Sequence, residues 1–216
     1  MSSPESLPSR FPIFPLAGAL LLPGGNMPLN IFEPRYLQMT RDAMQTDKVI
    51  GMVQTRGDNA SEMEVPPVYR TGCVGRISNF EETDDGRYLI TLIGVCRFDV
   101  EQELTPMTPY RQVNASFDRW LGDLDDSEPD PALRISLVAA MRSFFDKHDI
   151  EADWDAVQGA PLSGLVTSLS MICPFEVSEK QALLEAADQS DRARILISLM
   201  QMEGSSMDLG RGAIKH

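Results

Sequence analysis

Before residue 121 the clearest hydrophobic pattern of this chain has a period of two, and beyond residue 131 the apolar positions recur about every 3.6 residues. The first pattern predicts strands and the second predicts helices packed through one face. From Phe11 to Leu29 the sequence is apolar but broken by Pro12, Pro15, Pro23 and Pro28, with Gly24-Gly25 between them. Prolines at that density exclude a helix and favour short edge strands joined by turns. A helix is expected next, in NIFEPRYLQMTRDAMQTD (30–47), with Pro34 in its first turn, where a missing N–H is harmless. Phe32, Tyr36, Met39 and Ala43 follow helical spacing and predict one inward face. Val49 to Gln54 reads as a short buried strand, and the polar run after it as a loop.

Residues 71–100 carry the strongest local signal. TGCVGRISNFEE and RYLITLIGVCRFDV are β-rich runs separated by Thr83, Asp84, Asp85 and Gly86. Asp-Gly between such runs predicts a tight hairpin, because Gly86 accepts the positive φ of the turn. Tyr88, Ile90 and Leu92 share one face and Leu89, Thr91 and Ile93 the other, so both faces are apolar. That predicts a central strand in a barrel or a two-layered sheet. Tyr110 to Phe117 reads as a closing strand.

In the second half, Asp130-Pro131 is a cap-plus-first-turn pair before the stripe Leu133, Leu137, Val138, Met141, Phe144 and Phe145. A second helix starts at Pro161 with Leu162, Leu165, Val166, Leu169 and Ile172 facing inward, and Pro174 ends it. Ser178 and Gln181 suggest a capping box opening a third helix. A fourth follows Ser190 with Ile195, Leu196, Leu199 and Met200. The expected organisation is a disordered tail (1–10), a β-rich subdomain (11–121), an acidic linker (122–131), a helical subdomain (132–203) and a frayed tail (204–216). The fold class is therefore α+β.

Composition narrows the function. With 216 residues and 43% hydrophobic content the chain can bury a core without a metal or disulfide staple. A formal net charge of -13 disfavours non-specific contact with nucleic acid and with anionic membranes. Three cysteines (Cys73, Cys96 and Cys173) without CxxC spacing, and two histidines, give no zinc cluster and suggest a reducing compartment. MSSPESLPSR does not read as a signal peptide, and no apolar run reaches the length of a membrane span, so a cytoplasmic protein is expected.

Three stretches resemble the N-terminal domain family of Lon proteases. They are FPIFPLAGALLLPGGNMPLNIFEPRY (11–36), VGRISNFEETDDGRYLITLIGVCRFDV (74–100) and KQALLE with DRARILISLM (180–200). The second ends in the family's G-x-x-R-[FA] element as Gly94, Arg97 and Phe98. The three occur in the family's order and together span about four-fifths of the chain. The resemblance implies a PUA-like β pseudo-barrel with one inserted helix, followed by an α-helical bundle, acting in substrate recognition. Lon itself also carries an AAA+ ATPase and a Ser–Lys protease module. None of the four lysines here (Lys48, Lys147, Lys180, Lys215) follows a glycine, so a Walker A phosphate loop is missing. The expectation is a stand-alone, non-catalytic member that uses neither ATP nor any cofactor, and that binds unfolded or partner polypeptides as an adaptor linked to proteolysis or protein quality control.

Other chemistry is weaker. Glu33, Arg35 and Tyr36 fit a helix start better than an acid–anion–aromatic site, and Phe32, Pro34, Gly86, Gly94, Arg97 and Phe98 read as structural. Asp84 and Asp85 read as turn residues. The acidic run lacks EF-hand spacing. There is no G-x-S-x-G elbow, and no histidine is evidently placed to activate a cysteine. The twelve methionines supply adaptable apolar surface, and Met27, Met39, Met52 and Met63, with Tyr36, are the expected peptide contacts. Two alternatives remain from other classes. One is an RNA- or small-molecule-binding PUA-like module, with Arg70, Arg76, Arg87 and Arg97 as a basic patch. The other is a self-associating structural homodimer.

Overall fold

A computed structural model of the chain describes residues 7–57, 63, 65–105, 107–125 and 128–205. The expected tails fall largely outside these residues. The chain divides into two compact units, Met1–Asp126 and Ser127–His216.

The first unit is built on six strands: β1 (Arg10–Pro15), β2 (Asn26–Ile31), β3 (Val49–Val53), β4 (Thr71–Glu82), β5 (Tyr88–Glu103) and β6 (Gln112–Ser116). Their order is β2-β5-β4-β3-β1-β6, and β5 also pairs with β6, which closes the last five into a ring. Closure removes edges that would otherwise be exposed. The result is the expected pseudo-barrel. β1 is no edge strand, however. It pairs with β6 at residues 10–12 and with β3 at residues 13–15. The pairing thus switches sides at Ile13, whose N–H still donates to the Arg111 carbonyl, and this switch is how the strand accommodates Pro12 and Pro15.

β5 is long enough to serve two places. Its first half, 88–93, lies between β2 and β4, and Asp99 to Glu103 lie beside β6. The half between β2 and β4 projects as a three-stranded antiparallel sheet. At Gly94 the segment after Leu22 crosses the strand: a β-carbon there would lie 2.0 Å from the Leu22 carbonyl oxygen. Only glycine permits that approach. Leu20, Leu21 and Leu22 are all buried as that segment passes over the sheet. Gly86 has φ 79° and closes the β4–β5 hairpin, as the Asp-Gly signal predicts.

The barrel core is Phe11, Ile13, Val53, Val74, Phe98 and Val113, with Phe11 and Phe98 edge to face at 4.9 Å. A 3-10 helix, Asp118–Leu124, seals it with Trp120. Residues 122–124, read from their acidity as the start of a linker, belong to this helix. Asp123 bonds Arg97 there.

α1 (Pro34–Met44) follows β2 and buries Tyr36, Met39 and Ala43. Phe32 does not join them. The helix starts at Pro34, so the helical spacing does not extend back to Phe32, which is 63% exposed.

The second unit is helical: α2 (Leu133–Lys147), α3 (Trp154–Gly159), α4 (Leu162–Ile172), α5 (Val177–Glu185) and α6 (Gln189–Ser205). Leu137, Phe144, Val166, Leu183, Leu196 and Met200 are buried within it. Three local expectations change. The six-residue α3, capped by the Asp153 carboxylate, is additional. The capping box is Glu176 with Glu179, two residues before the Ser178–Gln181 pair. Ile172, the last residue of α4, is exposed instead of facing inward. Asp130 does act at the entry to α2, where its carboxylate accepts from the Ala132 N–H.

Candidate polypeptide-binding surface

Side chains opposite one another in an antiparallel pair share a face. The registers of β2, β5 and β4 therefore place three rows on one side of the projecting sheet: Asn30–Leu89–Glu81, Pro28–Thr91–Asn79 and Asn26–Ile93–Arg76. The opposite side carries Tyr88, Ile90 and Leu92, all buried. Both faces of β5 are apolar and the strand is central, as its sequence predicts. The second face is nevertheless not covered: Leu89 is 39% exposed and Ile93 40%.

This face is held rigidly from behind. The Arg41 guanidinium of α1 donates to the Tyr88 hydroxyl and lies over its ring, and Phe80 packs on Tyr88 at 4.9 Å. Phe32 stands one residue beyond the end of β2, where the chain enters α1. Pro34 fixes that entry, and Arg35 pairs with Glu33 at 2.9 Å. An exposed phenyl ring and two exposed aliphatic side chains on stiff backbone form a surface suited to apolar contacts.

Of the expected peptide contacts, Met39 and Met52 are core side chains, 0% and 2% exposed, and cannot meet a ligand at the surface. Their elements explain this. Met39 is on the inner stripe of α1, and every residue of β3 is buried. Tyr36 is also buried, 4.3 Å from Phe14 and beneath Arg35, and burial pushes its phenol pKa upward. Met27 is half-buried on the other face of the sheet, opposite Leu92. Met63 is exposed, three residues before Pro66, whose carbonyl accepts from Arg111. These five residues do not form one site. Phe32, treated as structural, is the most exposed aromatic ring of the β-rich unit.

The suggested basic patch is not assembled. Arg97 is buried against Asp123, and Arg87 pairs with Asp85 at 2.6 Å. Arg70 donates to the Val100 carbonyl and Arg76 to that of Asp47. The Arg87 and Thr83 side chains hold the Asp85 carboxyl at about 2, so these groups stabilise the turn.

All three cysteines are buried, and none is in a disulfide. Burial first, and the Asp123 charge second, push the Cys96 thiol up to about 12, and its Sγ donates to the Trp120 carbonyl. Such a thiol is a poor nucleophile. Among the described residues no group of three or more His, Cys, Asp or Glu is arranged to hold a metal, and no helix is long and apolar enough to cross a membrane.

Comparison with known proteins agrees with this architecture. The family model for the ATP-dependent protease La (LON) substrate-binding domain matches residues 10–202. Lon protease 2 of Myxococcus xanthus is 27% identical over 210 residues, covering 95% of this chain and 25% of the relative. The Lon protease of Anaeromyxobacter dehalogenans is 26% identical, covering 95% and 24% respectively. The chain thus spans about a quarter of the length of these relatives. A crystal structure of a Lon N-terminal domain protein from Xanthomonas campestris superposes with a TM-score of 0.64 at 24% identity, covering 88% of this chain and 97% of that one. The N-terminal domain of a Mycobacterium avium complex Lon protease gives 0.63 at 14% identity, covering 89% and 98%.

Proposed function

The chain belongs to the family of LON substrate-binding domains, and on that premise we propose that it binds polypeptide segments without cleaving them. The observation that carries this reading is the uncovered apolar face of β5, where Leu89 and Ile93 stand on a rigid sheet with Phe32 at the end of the adjoining strand. Exposed apolar side chains held by a stiff scaffold bind with little ordering entropy. Of the expected set, Met27 lies on the opposite face of this sheet and Met63 is exposed elsewhere on the unit, so the surface rests on Leu89, Ile93 and Phe32.

In the cell the module acts as an adaptor, delivering bound polypeptide to a proteolytic or quality-control partner. The chain itself neither hydrolyses peptides nor uses ATP. Release of new termini from unfolded casein by the purified protein would contradict that part of the reading.

Binding is tested by fluorescence anisotropy of a labelled unfolded polypeptide at low and high salt, with wild type and with a Leu89→Thr/Ile93→Thr double variant. Threonine keeps the strand propensity while removing much of the apolar surface. The expected result is saturable binding that survives high salt in the wild type and falls on the order of tenfold or more in the variant. No binding by the wild type at either salt overturns the proposal.

A further inference from the structure

We propose that the β2–β5–β4 face selects extended segments in which apolar side chains are flanked by lysine or arginine, a substrate class that deepens the polypeptide-binding reading and rests on it. The observation is the charge that borders the face. The hairpin that ends it carries four carboxylates within five residues. Glu81 and Glu82 are at the end of β4, the second opposite Tyr88 on the other side of the sheet, and Asp84 and Asp85 are in the turn. Asp85 is neutralised by Arg87 at 2.6 Å. Glu81, Glu82 and Asp84 are exposed and have no ion-pair partner among the described residues. Glu81 lies directly opposite Leu89 in the register, on the same face. A carboxylate and a leucine thus stand side by side, where a guest's cation and its apolar neighbour would meet them.

The other end of the face differs. Arg76 stands opposite Ile93, but its guanidinium is turned to the Asp47 carbonyl at 3.1 Å. The face therefore carries Glu81 at its hairpin end, close to Asp84 in the turn, and takes its apolar surface from Leu89 and Ile93 on either side of Thr91. Asn26, Asn30 and Asn79 add exposed carboxamides that can donate to and accept from a guest backbone.

Size and charge exclude the other occupants. From Leu89 to Ile93 the face runs roughly 13 Å along the strand and about 10 Å across three strands. That suits a short extended segment and falls well below the ~800 Å² per partner of a stable protein dimer. A second copy would also bring a net charge of -13 against the same carboxylates. Nucleic acid would bring phosphates to them.

The test uses the full chain and three labelled peptides that share one apolar core and differ in their flanks: lysines, serines or glutamates. Anisotropy is measured with wild type and with a Glu81→Gln/Glu82→Gln/Asp84→Asn triple variant, which leaves the apolar residues untouched. In the wild type at low salt the lysine-flanked peptide should bind on the order of tenfold more tightly than the serine-flanked one, and the glutamate-flanked one most weakly. High salt should bring the three together. In the triple variant the lysine advantage should disappear while affinity for the serine-flanked peptide stays the same. Equal affinity for the serine- and lysine-flanked peptides in the wild type overturns the charge selection and leaves polypeptide binding standing. A lysine advantage that persists in the triple variant also overturns it. If none of the three peptides binds, the underlying reading fails with it.

Discussion

Arg97 and Asp123 form a buried, forked ion pair. Nη2 and Nε of the guanidinium donate to Oδ1 and Oδ2 at 2.6 and 2.8 Å, and the Arg97 backbone N–H donates to the same carboxylate at 2.9 Å. The guanidinium also lies over the Trp120 ring at 3.9 Å. The pair pins the 3-10 helix to β5, where the helix seals the barrel core. Removing the carboxylate takes the forked ion pair away from a guanidinium that is only 3% exposed. Asp123→Ala should therefore destabilise the fold by about 3–5 kcal/mol, measured by urea denaturation. An Arg97→Met/Asp123→Leu double variant should recover a large part of that loss, because no buried charge is left unpaired. Equal loss in both variants would show that packing, and not charge, is the cause.

Gly94 makes a different kind of demand. Its N–H donates to the Gly25 carbonyl, and its own carbonyl accepts from Gly24. The backbone of Leu22 passes so close that a methyl group has no room. Gly94→Ala should destabilise by about 3 kcal/mol, the upper end of the overpacking range. A loss under about 0.5 kcal/mol in chemical denaturation would contradict the close crossing.

Local signals were legible and long-range ones were not. The hairpin turn at Gly86, the central place of β5 and the start of α1 at Pro34 are each written in a few adjacent residues. Asp123 was not legible, because its partner lies 26 positions earlier in the chain and its acidic neighbours resemble a linker. Phe32 matches the helical spacing, but the helix starts two residues later at Pro34 and leaves the ring outside its inward stripe. The Glu176 cap has no local signal in the sequence, because glutamate is not among the common capping residues. At the candidate surface, the two apolar faces of β5 were visible in the sequence. Which face stays open depends on what packs behind it, and no local pattern records that.

Alkaline pH should weaken the fold through Cys96. Its folded pKa is raised from 9.0 to about 12, chiefly by burial. The thiol's contribution is therefore complete below pH 9 and is lost as pH rises from there towards 12. Tyr36 and Tyr110 are raised as well and act in the same direction, while the lowered Lys180 acts against them. Urea midpoints of wild type and Cys96→Ala should converge between pH 8 and pH 10.5. A constant gap would place the thiol's ionisation outside the folding equilibrium.

Pro28 guards the free edge of the sheet. Gly94 bonds to Gly24 and Gly25, and antiparallel alternation then turns the backbone groups of Asn26, Pro28 and Asn30 away from β5. Proline at the middle position offers no donor to an incoming strand. Pro28→Val restores that donor and raises strand propensity. The variant should remain folded but associate with rising concentration, which light scattering detects, whereas the wild type should show less association at each concentration. Identical scattering curves would remove the proline from this role.

Phe32 separates binding from stability. Its ring is mostly in water, so Phe32→Ser should change the unfolding free energy by no more than about 0.5 kcal/mol. Exposed aromatic rings on fixed backbone often dominate an interface, and losing one typically weakens binding by about 2 kcal/mol, roughly thirtyfold. The same variant should therefore bind an unfolded polypeptide far more weakly while melting with the wild type. Tyr36→Ala is the matching control. Its ring is buried against Phe14, so stability should fall first and binding only with it. If Phe32→Ser bound as well as the wild type, the end of β2 would lie outside the contact, and the apolar contribution would rest on Leu89 and Ile93 alone.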